Sequence, residues 1–170
     1  MHNHVHSHFD HSFLLKSIII NTKVILGLII PFNDLLSRIG KKRGIIMGLR
    51  EDIGALLNEL LERAPGDVSG VAVLRPDGLM ISSSLPQDTD EKRVAAMAAA
   101  MVGTSQRTCD ELERGDLNQV VIDGATGKAI LSYAGEKAVL AALSPAEVNL
   151  GLALLELERT AEKVKDVMNQ

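Results

Sequence analysis

The histidines are the residues of this sequence with the widest chemical range, and their positions limit what they can do. All five lie within the first eleven residues, at His2, His4, His6, His8 and His11. Imidazoles at alternate positions can chelate a transition metal, but a dense histidine tract lacks the fixed geometry and supporting hydrogen bonds of a built site. The rest of the chain has no histidine for acid-base catalysis or metal ligation. We therefore predict no catalytic residue, no cofactor site and no metal site.

The other polar groupings have simpler interpretations than catalysis. Residues 124–128, GATGK, resemble a phosphate-binding loop, but the spacing is too short and a strand is predicted next, so a hairpin turn is the better interpretation. The three serines at 82–84 would need a nearby base to act as nucleophiles, and we predict instead that they solvate the end of a strand. The single cysteine, Cys109, allows no intrachain disulfide and indicates a reducing compartment, where we expect a buried small side chain.

Charge and composition divide the chain near residue 47. Residues 1–47 hold six Lys or Arg against two acidic residues, a balance of +4, whereas residues 48–170 hold twelve against twenty, a balance of −8, which together give the net charge of −4. Aromatic residues make up only 2% of the chain. An acidic domain whose only aromatic residue is Tyr133 is poorly suited to nucleic acid, because phosphate binding needs a basic surface and single-strand binding uses stacked rings. We therefore predict no nucleic-acid partner.

Residues 1–47 form an apolar and basic extension for which several interpretations remain open. The run from Phe13 to Ile30 has about the length of a membrane span, and the basic residues after it would hold the following domain on the cytoplasmic side, although Lys16 and Lys23 interrupt the run. A signal peptide would need a small-x-small cleavage site, which is missing. A disordered tail is another alternative. The abrupt change of composition at Met47 favours a mis-set start, with the preceding residues being upstream DNA read as protein. We expect a mis-set start or a membrane segment, and a domain that is cytoplasmic or anchored to a membrane facing the cytoplasm.

The first elements of residues 48–170 are predicted by periodicity. Apolar residues from Leu49 to Leu61 recur at helical spacing, which predicts an amphipathic helix. Two strands are predicted next, at Val68 to Leu74 and at Leu79 to Ser83. Pro76-Asp77-Gly78 joins them as a hairpin turn, because it supplies a pre-set φ, a turn-favouring Asp and a permissive Gly.

A long helix follows, capped by Asp88 or Asp90 and running to about Arg114. From Val94 to Gly103 it has ten residues without a polar side chain, so it is apolar on all sides and must be covered on more than one. Six residues are predicted to face a sheet: Val94, Ala98, Met101, Ser105, Cys109 and Leu112. A second strip of mostly small residues is suited to close backbone approach: Ala96, Ala99, Ala100, Gly103 and Arg107. We expect a second subunit to cover this strip; burial within a single monomer is the alternative.

Three strands and a final helix complete the domain. The strands are predicted at Leu117 to Asp123, Ala129 to Tyr133 and Lys137 to Leu143, and the short turns between them favour an antiparallel meander. The string SPAE at residues 144–147 has a capping-box pattern that predicts the start of the last helix. The apolar stripe of that helix is Leu150, Leu154, Leu157, Ala161, Val164 and Met168.

This order of elements, together with three strings, resembles the roadblock/dynein light-chain family, and in particular its prokaryotic MglB-like branch. The strings are GVAVLRPDGLMISSS from Gly70 to Ser84, RVAAMAAAMVGTSQRTCDELERGDLNQVVID from Arg93 to Asp123, and SPAEVNLGLALLELERTAEKV from Ser144 to Val164. They cover nearly the whole of residues 48–170, and the resemblance does not extend into residues 1–47.

The resemblance implies an α/β roadblock fold: a five-stranded antiparallel sheet with one long helix on one face and two helices on the other, in the order αββαβββα. It implies a homodimer formed through the long helix and the strand after it. The interface residues would be Ala96, Ala99, Ala100, Gly103, Val120 and Ile122.

The resemblance also implies a Ras-like small GTPase as partner, because members of the family regulate or scaffold such GTPases, while others attach cargo to motors. The candidate contacts are Gln106, Arg107, Asp110 and Arg114. We therefore expect a non-catalytic homodimeric regulator or scaffold for a Ras-like GTPase. The alternatives are a membrane-tethered assembly module, which needs residues 13–30 to be translated, and a small-molecule-sensing domain.

Overall fold

The structure is a computed structural model that describes residues 37, 40, 41, 44 and 46–170. The chain divides into two compact units, Met1–Ile45 and Ile46–Gln170, and the elements of the fold belong to the second unit. The apolar run at residues 13–30, on which the membrane and signal-peptide interpretations depend, lies outside the described residues. Among the helices that the structure describes, none has both the length and the apolar character needed to cross a bilayer.

The elements follow the predicted order. The first helix, α1, is described continuously over residues 46–63. The other elements, in chain order, are β1 (Gly70–Leu74), β2 (Met80–Ser84), α2 (Glu91–Glu111), β3 (Gln119–Gly124), β4 (Gly127–Ala134), β5 (Ala138–Pro145) and α3 (Leu150–Met168). The order αββαβββα is confirmed.

The five strands form one antiparallel sheet in the spatial order β2-β1-β5-β4-β3. β1 and β2 form one hairpin, β3 to β5 form a meander, and β1 pairs with β5 to join the two. β5 therefore lies in the middle of the sheet and is buried along most of its length. This position explains why β5 is apolar on both faces.

The β1–β2 turn forms at the predicted Pro-Asp-Gly sequence. The Gly78 N–H donates to the Arg75 carbonyl at 2.9 Å, and the Leu79 N–H donates to the Asp77 carboxylate at 3.2 Å. Gly78 has a φ of +85°, a conformation that residues with a side chain rarely adopt. The turn lies against α2, since a β-carbon built on Gly78 would be 3.6 Å from the Cβ atom of Ala99.

Helices cover both faces of the sheet, and each face has its own core. α1 and α3 pack on one face, around Leu57, Leu140 and Val164. α2 packs on the other face, around Ala98, Val139 and Leu131. The predicted apolar stripes of α1 and α3 are confirmed, because all their members pack in the first core. The predicted layering, with one helix on one face and two on the other, is also confirmed.

The predicted start of α3 at residues 144–147 is wrong. Ser144 and Pro145 extend β5, where they pair with β4 up to the β3–β4 turn. The helix is capped by Asn149, whose side chain accepts a hydrogen bond from the Leu152 N–H at 3.2 Å. Tertiary strand pairing outweighs a local capping pattern here, as it often outweighs helix propensity.

Ion pairs join the two helices that share a face. Glu156 of α3 is only 5% exposed, and its carboxylate lies 3.1 Å from Arg63 of α1 and 2.7 Å from Arg159. Near them, Lys163 of α3 pairs with Glu59 of α1 at 2.9 Å. These contacts fix α1 and α3 relative to each other across their polar sides.

Candidate functional site

The exposed side of α2 is the surface on which the predicted site lies. α2 begins at Asp90, whose carboxylate accepts hydrogen bonds from the backbone N–H groups two and three residues later, at 3.0 and 3.1 Å. The helix buries Ala95, Ala98 and Val102 against the sheet. The spacing of these residues buries one narrow line of side chains. Ala99 and Met101 pack beside it and are partly buried, while Ala96, Met97 and Ala100 stay outside the core.

The predicted sheet-facing side of α2 is partly wrong. Ala98 is buried and Met101 packs against the same core, but Leu112 is the C-cap of the helix and is 59% exposed. The buried line runs through Ala95 and Val102 instead. A run without polar residues has no periodicity, so the sequence could not determine the rotation of the helix.

The predicted interface residues of α2 surround an uncovered apolar surface. Ala96 and Ala100 are exposed, and Ala99 and Gly103 are half-buried. Met97, between them, is 51% exposed, and nothing lies within 4 Å of a β-carbon built on Gly103. We call the surface formed by Ala96, Met97, Ala100 and Gly103 the α2 platform. Exposed apolar surface of this kind is typical of an interaction site.

The other two predicted interface residues lie on β3, at one edge of the sheet. β3 pairs only with β4, so its outer backbone groups have no strand partner within the described residues. Val120 and Ile122 are half-buried and pair with Leu131 and Ala129, and Val120 packs in the α2 core. The structure thus brings the predicted residues of α2 and β3 to the same side of the sheet, beside an open edge.

Of the four predicted partner-binding residues, Gln106, Arg107 and Asp110 lie in the last two turns of α2, whereas Arg114 lies in the loop after the helix. Two of the four already have contacts within the chain. The Gln106 side chain donates to the Asp110 carboxylate at 2.9 Å and accepts from the Leu117 N–H at 3.1 Å. Arg107 and Arg114 are exposed, and neither forms an ion pair within the part of the chain that the structure describes. Gln106 therefore holds the loop after α2, while the two arginines are the side chains best placed to contact a partner.

The groupings considered for catalysis have structural roles. The Ser83 hydroxyl donates to the Glu91 carboxylate at 2.6 Å, and the Ser84 hydroxyl donates to the Asn58 amide oxygen at 3.0 Å. Residues 125 and 126 form the predicted β3–β4 turn, and Gly124 and Gly127 on either side of it are paired in the sheet. In the portion of the chain that is described, no three His, Cys, Asp or Glu side chains cluster closely enough to hold a metal ion. The arrangement of the platform and the open strand edge is therefore suited to binding another macromolecule.

Known proteins share this architecture. The sequence profile of the Roadblock/LC7 domain matches residues 53–144, which is more than half of the chain. This chain belongs to the Roadblock/LC7 domain family. Within 98 aligned residues it is 43% identical to the uncharacterized protein MJ1340 of Methanocaldococcus jannaschii, an alignment that covers 58% of this chain and 85% of that protein.

Two solved structures have the same fold as this Roadblock/LC7 chain. MglB of Myxococcus xanthus matches with a TM-score of 0.66 and 19% identity, over 71% of this chain and 90% of that one. A Roadblock/LC7 domain from Streptomyces avermitilis matches with a TM-score of 0.65 and 22% identity, over 70% of this chain and 99% of that one. At these identities the likeness concerns the fold alone, and it confirms the roadblock fold expected from the sequence.

One surface of this Roadblock/LC7 domain was not predicted from the sequence. A groove of about 660 Å³ lies between α3 and the strands β3 and β4, on the face of the sheet opposite the α2 platform. Leu154, Leu155 and Glu158 line it from α3, and Ile130 and Ser132 line it from β4. The available signal was Leu155, an apolar residue next to the predicted α3 stripe rather than in it.

Proposed function

We propose that this domain is a non-catalytic homodimeric regulator or scaffold that binds a Ras-like small GTPase. The observation that carries the proposal is the α2 platform, an uncovered apolar surface beside an open sheet edge. Roadblock/LC7 domains form a family of GTPase-regulating and scaffold proteins and are generally non-catalytic. The family membership supports the class of partner, and the platform supports the way in which the domain assembles.

Self-association through the platform would cover both the exposed apolar side chains of α2 and the unpaired edge of β3. A second copy related by a two-fold axis would pack its α2 against Met97, Ala100 and Gly103, where the small residues allow close approach of the two helices. The same axis would pair β3 with its copy, which satisfies the backbone groups of an exposed edge strand. MglB, which has the same fold, has been solved in a tetrameric arrangement, which supports self-association of this fold.

The GTPase would contact the ends of the paired α2 helices. Arg107 and Arg114 are exposed cations near the platform, free to pair with acidic groups of a partner. The complex would act by favouring one conformation of the GTPase switch segments, because a ligand shifts a conformational equilibrium by its difference in affinity for the two states.

The dimer is tested by Ala100→Glu, which places a charge on the platform without disturbing the monomer core. Sedimentation equilibrium should show a dimer for the wild-type chain and a monomer for Ala100→Glu. Ala55→Glu is the matched control, since Ala55 is an exposed alanine on α1, and this variant should remain dimeric. A wild-type chain that stays monomeric at high concentration would contradict the proposal.

Partner binding is tested with the Ras-like GTPases encoded in the same genome. Each purified GTPase is mixed with the full-length chain, and binding, nucleotide hydrolysis and nucleotide exchange are followed. Arg107→Ala and Arg114→Ala should weaken binding, whereas Arg50→Ala, which removes an exposed arginine on α1, should not. Failure of every GTPase to bind would overturn the proposed partner class.

A further inference from the structure

We propose that the groove between α3 and β3 is a docking site for a basic amphipathic helix of a partner protein. This site goes beyond the proposed function, because it lies on the face of the sheet that the α2 platform does not occupy. A domain with both surfaces could hold a dimer partner on one face and a further protein on the other.

The helix layer on this face is too narrow for the sheet. Neighbouring strands are about 4.8 Å apart, so five strands span about 19 Å between the outermost strand axes. Two helices packed about 8–10 Å apart cover roughly four strands. α1 lies on the β2 side of the sheet, where the Asn58 amide oxygen accepts a hydrogen bond from the Ser84 hydroxyl. α3 packs over β4 and β5. The strand left uncovered on this face is β3, so an additional helix would lie beside α3 and over β3.

The floor of the groove is apolar where the additional helix would lie. Ile130 of β4 and Leu154 of α3 line the groove, and Leu155 beside them is 43% exposed. Val121 of β3 pairs with Ile130, so its side chain is on the same face of the sheet, and it is 38% exposed. A helix with apolar residues at i, i+3, i+4 and i+7 would bury these side chains.

The charge of the groove indicates a basic occupant. Of the described residues that line it, the charged ones are Glu158 and Glu162, and both are acidic. Lys165 pairs with Glu162 at 3.0 Å, whereas Glu158 forms no ion pair with any described residue. A lysine or arginine on the docked helix would face Glu158 without competing with a cation of this chain.

A helix fits the groove better than a metabolite or an extended peptide. Sites for small molecules bury most of the ligand surface in a concave pocket, whereas Gly151, Leu155 and Glu158 leave this groove exposed along α3. An extended peptide would add to the outer edge of β3 through backbone hydrogen bonds and would leave Leu154 and Leu155 of α3 uncovered. A helix needs only the apolar floor and the acidic rim.

The test is a selection from a displayed library of peptides of about 14 residues, or roughly four helical turns, against the full-length chain. The enriched peptides should carry apolar residues at i, i+3, i+4 and i+7 with Lys or Arg beside them, and become helical on binding. Leu155→Glu and Glu158→Lys should each weaken binding of these peptides by about tenfold or more, as expected for the centre of an interface. Leu155→Gln serves as a second, milder variant if Leu155→Glu does not fold.

The controls lie on the same helix but outside the groove. Leu152→Glu changes an apolar residue that is 38% exposed, and Asp166→Lys makes the same charge change as Glu158→Lys. Both control variants should leave peptide affinity unchanged. Ala100→Glu should also leave it unchanged, because peptide binding in the groove does not require the proposed dimer. Enrichment of acidic or non-helical peptides, or binding that ignores the groove variants, would overturn the proposal. So would thermal stabilisation by a metabolite that is lost in Leu155→Glu, which would make the groove a small-molecule site.

Discussion

The side-chain oxygen of Gln106 accepts a hydrogen bond from the backbone nitrogen of Leu117 at 3.1 Å. The amide nitrogen of the same side chain donates to Asp110 at 2.9 Å. The intervening loop turns sharply, with positive φ values of 52° at Glu113 and 78° at Gly115. Gln106 therefore ties the end of α2 to the start of β3, the two elements that carry the proposed dimer interface.

Replacing Gln106 with alanine should lower the free energy of unfolding by about 1 kcal/mol, a typical net value for one hydrogen bond. Gln106→Glu should keep the acceptor for Leu117 but place a second carboxylate beside Asp110. Urea denaturation measures the stability of both variants, and hydrogen exchange measures protection of the Leu117 amide. Protection that stays unchanged in Gln106→Ala would show that this bond does not hold the loop.

Substitution of Gly103 with alanine should make the monomer more stable and the proposed dimer less stable. Nothing lies within 4 Å of a β-carbon at this position, so the monomer should gain about 0.8–1 kcal/mol from helix propensity. In the proposed dimer the added methyl groups would push the two α2 helices apart and weaken association. Urea denaturation at low protein concentration and sedimentation equilibrium measure the two effects. Gly54→Ala in α1, where Ser82 lies 3.5 Å away, is the control that should not alter association.

Lys163 and Glu59 should make the stability of the domain depend on pH in the acid range. Hydrogen bonds from Lys163 at 2.9 and 3.1 Å hold the pKa of Glu59 below its ordinary value, with a further contribution from the charge of Arg63. Because the folded pKa is lowered, the stabilisation is fully present above the ordinary glutamate pKa of about 4.3 and is lost as the pH falls through the lower folded value. Both side chains are 43% exposed, so salt should weaken the effect.

The measurement is the unfolding free energy of wild type and Lys163→Met between neutral and acid pH. The difference in unfolding free energy between wild type and Lys163→Met should be constant near neutral pH and should shrink in the acid range. In a Glu59→Gln background, Lys163→Met should show no such dependence, because the titrating partner is absent. A difference that persists unchanged in that background would assign the effect to another group.

The buried Glu156 should tolerate the loss of one cation but not of both. The side chains of Arg63 and Arg159 are 32% and 57% exposed, and both pair with the carboxylate of Glu156, which is almost fully buried. Removing both as Arg63→Met and Arg159→Met should cost about 3–5 kcal/mol, because it leaves a buried charge without a partner. Adding Glu156→Leu should recover most of that loss. Chemical denaturation of the single, double and triple variants tests this order, and a double variant as stable as the wild type would contradict it.

The sequence alone determined the elements that depend on local patterns. The apolar spacing of α1 and α3 predicts their buried sides, including Leu57 and Val164, because a helix repeats its faces every 3.6 residues. The hairpin turn is predicted by Pro76-Asp77-Gly78, because glycine adopts a positive φ readily and residues with a side chain rarely do. The order of these local signals matched the resemblance to the roadblock family, which implied the fold and the pairing through β3. The residue pattern itself indicated only that one side of α2 needs a cover.

The tertiary structure decided what local patterns leave open. The rotation of α2 depends on how Ala95 and Val102 fit the sheet, since its run of apolar residues has no period of its own. Ser144 belongs to β5 because β4 continues beside it, and Gln106 has a partner eleven residues away in sequence. The groove beside Leu155 lies where α3 packs over β4 and β5 and leaves β3 uncovered. Each of these features depends on contacts between segments that are distant along the chain. A single sequence does not show which distant segments lie close together in space.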